Sequence, residues 1–220
     1  MNDLSMRVQS VAAPVRRQVA KVLRHAITSG RFAPGQRLIE RDLCELLGVS
    51  RPSIREALRE LESDGLVDII PNRGPLVKSL TKEEARGVYQ VRAALEALAA
   101  RLFVESATDG QVKQLGLTVE QLAEAYDSHD VERILASKQA FYDVLIEGAG
   151  NTVLSSLLRS LNDRITLLRR VTISSPQRSR QSLKEIRGIL AAIRKRDADA
   201  AYDLSQRHIE QAAQVALKSL

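Results

Sequence analysis

The apolar positions along the chain follow two different periods. Up to about residue 79 they recur first at helical spacing and then in two strand-like runs, 66–70 and 76–77, on either side of the turn signal Pro71-Asn72-Arg73-Gly74. Beyond this point the helical spacing continues to the end of the chain. The pattern therefore predicts a mainly α protein in two parts. We place the boundary near Ser79 to Thr81, where a capping box of Thr81 and Glu84 opens a long helix.

Three helices are predicted in the front part, and glycines mark their ends. The first ends at Gly30, the second covers about 40–47 and stops at Gly48, and the third starts at the N-cap Ser50 and ends at Gly65. Their apolar stripes are Val15, Val19, Val22, Leu23, Ala26 and Ile27, then Leu43, Leu46 and Leu47, then Ile54, Ala57, Leu58 and Leu61. With the hairpin, this order predicts an N-terminal winged helix-turn-helix, made of three helices plus a two-stranded wing. Its third helix has the right length for a DNA major groove.

The rear part is predicted to be an all-α helical bundle of about six helices. The segments are 82–107, 110–127, 131–148, 151–171, 177–195 and 197–218. The first stripe contains Val88, Val91, Leu95, Leu98 and Leu102, and the fourth contains Leu154, Leu157, Leu158, Leu161, Ile165 and Leu168. Short connections favour antiparallel neighbours, and such a bundle can enclose a small ligand between its helices.

The composition is that of an ordinary folded chain. Of the 220 residues, 27% are charged and 44% hydrophobic, which excludes a disordered or low-complexity chain. No apolar stretch approaches the roughly 20 residues of a membrane span, and the start lacks a signal-type apolar segment. The single cysteine, Cys44, cannot form an intrachain disulfide. We expect a cytoplasmic protein with no membrane contact, in which Cys44 is a buried or half-buried structural residue.

The charge balance and the missing motifs narrow the function classes. Lys and Arg number 33 against 27 Asp and Glu, and the net charge of +6 permits a polyanionic partner without requiring one. The sequence shows no nucleophile beside a base, no His-Glu-x-x-His metal motif and no glycine-rich phosphate loop. We therefore predict that the chain is not an enzyme.

The predicted third helix carries a basic stripe. Arg51, Arg55 and Arg59 are four residues apart and lie opposite its apolar stripe. An arginine fork can bind guanine O6 and N7 or clamp a phosphate, and Ser50 and Ser53 at the helix start can add phosphate contacts. The alternative is that these arginines pair with glutamates on a solvated face, Glu56, Glu60 and Glu62, which we expect above all for Arg59.

Two long motifs cover the front part. They are Leu23-Arg24-x-Ala26-Ile27-x-x-Gly30-x-x-x-Pro34-Gly35-x-x-Leu38-x-Glu40 and Leu46-x-Gly48-Val49-Ser50-Arg51-x-x-Ile54-Arg55-Glu56-Ala57-Leu58-x-x-Leu61-x-x-x-Gly65-Leu66. Over about residues 14–79 they resemble the winged helix-turn-helix of GntR-type bacterial transcriptional regulators. The resemblance, together with the basic stripe, predicts DNA contacts at Arg41, Ser50, Arg51, Ser53, Arg55, Arg73 and Gly74. Pro52 departs from the usual Thr or Ser, so we expect one hydroxyl contact to be missing.

The rear part resembles FCD, the all-helical effector domain of one large GntR branch, the FadR-type. The motifs are Arg92-x-x-Leu95-Glu96-x-x-Ala99-x-x-Leu102, Phe141 to Gly150-Asn151, and Ile189-x-x-Ala192-Ile193 with Asp197 and His208. In many members of that family an Asp and three His bind a metal in the bundle core. Here those positions are Lys138, Tyr142, Ile186 and His208. Because a divalent cation needs at least three good donors, we predict no metal and no other cofactor.

We predict instead an effector pocket formed by Arg92, Lys138, Tyr142 and His208. These residues would bind an anionic metabolite, expected to be a carboxylate, and Lys138 would replace the positive charge of the metal. Three structural alternatives remain open. His208 can be a hydrogen-bonded core residue, Arg92 can pair with Glu96, and Lys138 can reach solvent.

The resemblance implies a ligand-responsive, homodimeric transcriptional regulator, expected to be a repressor, that recognises an inverted-repeat operator on double-stranded DNA. The predicted organisation is a flexible segment over 1–13, a DNA-binding domain over 14–79 and an effector-binding and dimerisation domain over 80–220. The alternative function is an architectural or constitutive DNA binder with a vestigial effector domain.

Overall fold

The computed structural model of the chain describes residues 13–173 and 176–220, and it forms two compact units that separate between Ser79 and Leu80. The mainly α fold class predicted from the sequence is confirmed. The predicted flexible segment over 1–13 lies outside the described residues except for Ala13, with which the first helix begins.

The first unit has the predicted order of three helices and a two-stranded wing. Its elements are α1 (Ala13–Thr28), α2 (Glu40–Leu47), α3 (Arg51–Ser63), β1 (Val67–Ile70) and β2 (Gly74–Val77). The α2 helix ends because Gly48 adopts a left-handed conformation (φ 64°), and its N–H donates to the Cys44 carbonyl. The strands pair antiparallel, with Val67 opposite Val77 and Ile70 opposite Gly74.

The wing is broader than the sequence predicted. The Val77 N–H donates to the Gln36 carbonyl at 2.8 Å, and the Leu38 N–H donates to the Pro75 carbonyl at 2.9 Å. The segment before α2 therefore lies along β2, with Arg37 paired opposite Leu76. These bonds connect the wing to the segment that leads into α2, so the wing is not held by its own two strands alone.

The core of the first unit contains most, but not all, of the predicted apolar stripes. Leu23, Ile54 and Leu61 are almost completely buried. Three predicted stripe residues are exposed instead: Val15 (43%), Val22 (44%) and Leu46 (54%). They lie at the edges of their stripes, and the contact face of a short helix is narrower than its apolar stripe. Cys44 is half-buried, as expected.

The second unit contains six helices in its described part, at nearly the predicted positions. They are α4 (Lys82–Ser106), α5 (Asp109–Ser128), α6 (Val131–Gly148), α7 (Thr152–Ile173), α8 (Pro176–Arg194) and α9 (Ala198–Ser219). The capping box of Thr81 and Glu84 is present, and a second one, Thr108 with Gln111, opens α5. None of the helices in the described ranges combines the length and apolar character that crossing a bilayer requires.

The apolar core of the second unit consists of two clusters. The larger one includes Phe103 of α4 and Phe141 of α6, and the smaller one includes Val88 of α4 and Ile209 of α9. On α4, charged residues occupy the positions between the residues of the two clusters, and these residues are buried. Among the predicted stripe residues, Val91, Leu98 and Leu157 are exposed, at 47%, 36% and 50%. They belong to a surface of the bundle and not to its interior.

Candidate functional site

The basic stripe of α3 lies on the surface of the first unit. Arg51, Arg55 and Arg59 are exposed, whereas Ile54 and Leu58 on the opposite side are at most 2% exposed. The apolar side packs on the core, and this packing directs the three guanidinium groups outward. The helix therefore presents a continuous basic face that an incoming polyanion can reach.

Two of the three arginines have acidic partners, but in different ways. Arg59 Nη1 donates to Glu56 Oε1 at 2.8 Å, which is the solvated ion pair expected for this residue. Arg55 Nε donates to both carboxylate oxygens of Glu40, at 3.0 and 2.9 Å. Because both bonds use Nε, the Nη groups of Arg55 remain available to other acceptors. Glu40, the first residue of α2, was not predicted as part of the site, and it holds Arg55 in place from a neighbouring helix.

The start of α3 differs from the expectation in one detail. Ser50 occupies the N-cap position with an extended backbone, but its side chain forms no capping hydrogen bond. Its Oγ lies 3.1 Å from Ser53 Oγ. Pro52 follows in the first turn, where the absence of an N–H is tolerated. The free N-terminal N–H groups and the two hydroxyls leave an electropositive helix end that suits a phosphate.

The wing and the start of α2 contribute further basic groups. Arg73 is exposed in the turn, and Gly74 has φ 79°, a conformation that favours glycine. Arg41 is 71% exposed, with Nε 3.3 Å from Asp42 Oδ1. A cleft of about 450 Å³ is lined by Arg37, Leu38, Ile39, Glu40, Arg41, Gly74 and Pro75. The cleft brings the predicted residues Arg41 and Gly74 together and adds Arg37, which sequence reasoning missed because nothing in the sequence showed that its segment pairs with β2.

The bundle contains a second candidate site, a buried cluster of charged and polar side chains. The four predicted effector residues are all buried, and their exposed fractions are 2% for Arg92, 7% for Lys138, 4% for Tyr142 and 3% for His208. The alternative in which Lys138 reaches solvent is therefore wrong. The structure adds three residues that the sequence did not indicate, namely Arg169, Arg178 and Glu185. Glu96, predicted only as a helical partner of Arg92, is buried together with them. We call this set the charged cluster.

Part of the charged cluster is neutralised internally. Arg92 Nε donates to Glu96 Oε1 at 2.8 Å, so the predicted alternative of a helical ion pair is present. Although burial opposes the shift, the charge of Arg92 lowers the pKa of Glu96, and that of Glu96 raises the pKa of Arg92. A second ion pair joins Arg178 Nη1 and Glu185 Oε2 at 2.8 Å.

His208 is a hydrogen-bonded core residue, as one of the alternatives predicted. Its Nδ1 lies 2.5 Å from Glu185 Oε2, and its backbone carbonyl accepts a hydrogen bond from Arg178 Nη2 at 3.2 Å. Burial lowers the pKa of His208 to about 4, although the bond to Glu185 opposes this shift. At neutral pH the ring is therefore neutral and donates its Nδ1–H to the ionised Glu185.

Two cations of the charged cluster have no acidic partner among the described residues. Arg169 Nη1 donates to the neutral Gln139 at 3.0 Å, and the Arg169 guanidinium lies 4.3 Å from the ring centroid of Tyr142. Arg169 Nε is buried and has no hydrogen-bond partner among the described residues. Lys138 Nζ lies 5.8 Å from the ring centroid of Tyr126. Burial, followed by the charge of Arg169, lowers the pKa of Lys138 well below its ordinary value.

The residues at the positions that the FCD resemblance associates with a metal do not fit a divalent cation. Lys138 is a cation with no lone pair to offer when charged, Ile186 is a fully buried hydrocarbon, and His208 uses Nδ1 for Glu185. In the part of the chain that the structure describes, no group of three or more His, Cys, Asp or Glu residues is arranged to hold a metal. The chemistry that these side chains support is the binding of an anion.

Comparisons with known proteins identify the family of each unit. Residues 15–77 match the family described as bacterial regulatory proteins, gntR family, and residues 87–211 match the FCD domain. The chain is 32% identical to the HTH-type transcriptional regulator YdhC of Bacillus subtilis, over 86% of this chain and 84% of that protein. It is 26% identical to the HTH-type transcriptional repressor RspR of Escherichia coli, over 90% of this chain and 87% of that protein.

Solved structures show the same architecture. A transcriptional regulator GntR from Rhodococcus sp. RHA1 has a TM-score of 0.82 and 27% identity, covering 93% of this chain and 98% of that one. The E. coli protein McbR/YncC has a TM-score of 0.80 and 24% identity, with the same coverage of both chains. Because its identity to this chain is only 24%, the match to McbR/YncC shows a shared fold and nothing further.

Proposed function

This chain belongs to the gntR family of bacterial regulatory proteins and carries an FCD domain, and from this premise we propose that it is a homodimeric repressor that binds an inverted-repeat operator and responds to a small anionic metabolite. Its relatives are transcriptional regulators and not enzymes, and one of them, RspR, is named as a repressor. In this proposal residues 14–79 bind DNA, residues 80–220 bind the effector and dimerise, no metal or other cofactor takes part, and the protein acts in the cytoplasm.

The exposed basic face of α3 is the observation that carries the DNA-binding proposal. Arg51 and Arg55 are oriented outward by the packing of the opposite side, with Ser50 and Ser53 beside them. We assign Arg51 and Arg55 to base edges in the major groove, where each good bidentate contact discriminates by about 1–3 kcal/mol. The hydroxyls, Arg41 and the wing residues Arg73 and Gly74 contact the phosphate backbone, which makes the affinity strongly dependent on salt.

A homodimer is supported by the exposed apolar residues of the bundle. Val91, Ala94 and Leu98 follow one another at helical spacing on α4 and are all exposed. A second copy of the same chain would cover this row in a symmetric interface, since most soluble oligomers are symmetric homo-oligomers. Two DNA-binding units then read two half-sites, and we expect an inverted repeat whose centres are roughly 10 bp or a multiple apart.

The charged cluster supports an effector-responsive regulator and not a vestigial bundle. Burying a cation without an acidic partner lowers the free energy of unfolding. A domain that only holds the dimer together would gain nothing from such residues. An anion that binds more tightly in one arrangement of the helices shifts the population of that arrangement, and the coupling changes operator affinity. The effector residues in this proposal are Arg92, Lys138, Tyr142 and His208, joined by Arg169.

The test of DNA binding compares single alanine variants on one helix. The operator is first selected from random DNA, and binding is then measured by fluorescence anisotropy at several salt concentrations. Arg51→Ala and Arg55→Ala should each weaken binding by about 5- to 150-fold and relax sequence preference, because each removes a base contact. Arg59→Ala is the matched control, since the ion pair of Arg59 with Glu56 uses an Nη group, whereas that of Arg55 with Glu40 leaves both Nη groups available.

Equal binding by wild type, Arg51→Ala and Arg55→Ala would refute the assignment of α3 as the reading helix. An operator selected without any repeated half-site would refute the symmetric arrangement while leaving DNA binding itself intact.

A further inference from the structure

We propose that the effector is a small metabolite with two negative charges, and that Lys138 and Arg169 are the residues that balance them inside the bundle. The inference rests on the proposed function, because it specifies the chemistry of the effector and adds a residue that binds it. It follows from the charges and contacts of the described residues in the charged cluster.

The charged cluster holds more basic than acidic side chains. In the described interior of the bundle, four side chains are cationic by type, Arg92, Lys138, Arg169 and Arg178, and two carboxylates face them. Glu96 is held by Arg92, and Glu185 is shared by Arg178 and the neutral His208. The charge of Glu96 also reaches Lys138 and Arg169, but among the described residues neither of these two cations forms an ion pair with a carboxylate.

Lys138 and Arg169 lie on neighbouring helices, close enough to act on one ligand. After burial, the charge of Arg169 is the largest influence on the pKa of Lys138. Tyr142, one helical turn after Lys138 on α6, is the residue whose ring the Arg169 guanidinium covers. Two positive groups on neighbouring helices repel each other unless an anion lies between them.

Two buried donors near these cations lack acceptors among the described residues. Arg169 Nε and the Tyr89 hydroxyl are buried and have no hydrogen-bond partner in the part of the chain that the structure describes. The Arg92 guanidinium lies 5.3 Å from the ring centroid of Tyr89, which places this hydroxyl in the same part of the bundle. Buried donors without acceptors are rare in folded proteins and call for a ligand or a water molecule. The acidic groups of a metabolite provide acceptors and negative charge together.

A dianionic effector fits Lys138 and Arg169 better than a monoanionic one, because a monoanion would leave one of these two buried cations unbalanced. Without the effector, the protein lowers its internal charge by releasing a proton from Lys138. The groups facing this ammonium are Arg92 and Glu96 of α4, Tyr126 of α5, Arg169 of α7, Arg178 of α8 and His208 of α9. Most of them are positive or neutral, so a bound dianion would restore the proton.

The experiment uses the full chain and three probes at matched ionic strength: succinate as a dicarboxylate, inorganic phosphate as a compact dianion, and butyrate as the monoanion matched to succinate in carbon number. Thermal unfolding and titration calorimetry are measured for wild type, Lys138→Met, Arg169→Met and Arg92→Met. Succinate or phosphate should raise the Tm of wild type more than butyrate does, and whichever binds reveals the kind of acidic group. Each of the first two substitutions should weaken that binding on the order of 100-fold.

Two further readouts separate ligand binding from a structural role. Without a probe, Lys138→Met and Arg169→Met should keep or raise the Tm, because the first removes a buried amine without a hydrogen-bonded carboxylate and the second removes an unbalanced buried charge. Arg92→Met should lower the Tm, because it leaves Glu96 unpaired. Titrations in two buffers of different ionisation enthalpy should show proton uptake on dianion binding to wild type and none for Lys138→Met.

The inference is overturned if butyrate stabilises wild type as much as the dianions, or if no dianion stabilises it. It is also overturned if Lys138→Met and Arg169→Met lower the Tm as Arg92→Met does. Operator binding by the same variants without a probe keeps the two proposals apart. If these variants bind DNA like wild type while no dianion binds, the DNA-binding function stands and only the effector chemistry fails.

Discussion

At the scale of single residues, burial decides the protonation state of the ionisable groups in the bundle. His208 is surrounded by the core and lies close to the basic groups Lys138 and Arg178, so its neutral form is favoured. Glu185 stays ionised because its hydrogen bond to His208 and the nearby Arg178 outweigh its partial burial. The bond to Glu185 by itself favours the protonated ring, so burial and the neighbouring basic groups, and not this bond, make protonation of His208 costly.

We expect the burial of His208 to make stability depend on pH. The pKa of His208 is about 4 in the folded state, against 6.5 for an unperturbed imidazole. Between pH 4 and pH 6.5 the unfolded chain therefore binds more protons at this residue than the folded chain does. The stability that depends on His208 is retained above pH 6.5 and is lost as the pH falls toward 4. Between pH 7 and pH 5 the loss from this residue is about 2 kcal/mol.

Urea unfolding of wild type and His208→Asn at both pH values measures this loss. The variant should be less stable at pH 7 but should lose less on acidification. An equal loss in both proteins would assign the pH dependence to other groups.

At the scale of elements, the bundle depends on one close approach between helices. Gly148 ends α6 against the fully buried ring of Phe103 on α4, and a Cβ at this position would overlap that ring. Both residues lie in the interior, so neither can move aside into solvent. The absence of a side chain at Gly148 is what allows α4 and α6 to pack at this distance.

Gly148→Ala should accordingly destabilise the protein by about 1–3 kcal/mol through overpacking. The matched control is Gly188→Ala in α8, where an added Cβ meets nothing within 4 Å. That change should be neutral or stabilising by up to about 1 kcal/mol, because alanine favours a helix over glycine. Chemical denaturation measures the free energy of unfolding of both variants. Equal changes in this free energy would show that the contact between Gly148 and Phe103 is not tight.

At the scale of the whole molecule, each unit has its own core, and reading an inverted repeat requires two copies of the chain. The row of Val91, Ala94 and Leu98 on α4 is the surface we assign to the contact between copies. A charged side chain in the centre of such an interface would be desolvated without a partner.

Leu98→Glu should therefore convert the dimer into a monomer, as measured by light scattering coupled to size-exclusion chromatography. Its affinity for the full operator should fall at least about 10-fold, because the second half-site no longer binds within one complex. Leu117→Glu is the control, since Leu117 of α5 is 50% exposed and lies outside the row. A dimer that persists in Leu98→Glu would place the interface elsewhere.

The sequence by itself determined the elements and the outward face of α3. Helical spacing, capping residues such as Thr81 and left-handed glycines such as Gly48 are local signals, and they located the helices and the wing to within about two residues. The same spacing predicted that Arg51 and Arg55 lie opposite an apolar stripe, because this relation depends only on positions along one helix.

Only the tertiary structure decided which residues of different elements come together. It paired Arg55 with Glu40, set Arg37 beside Gly74 and added Arg169 and Arg178 to the charged cluster. It also left Val91 and Leu98 exposed although they belong to an apolar stripe. The physical reason is that periodicity states which residues share a face of one helix, whereas contacts between helices depend on how those faces pack in three dimensions.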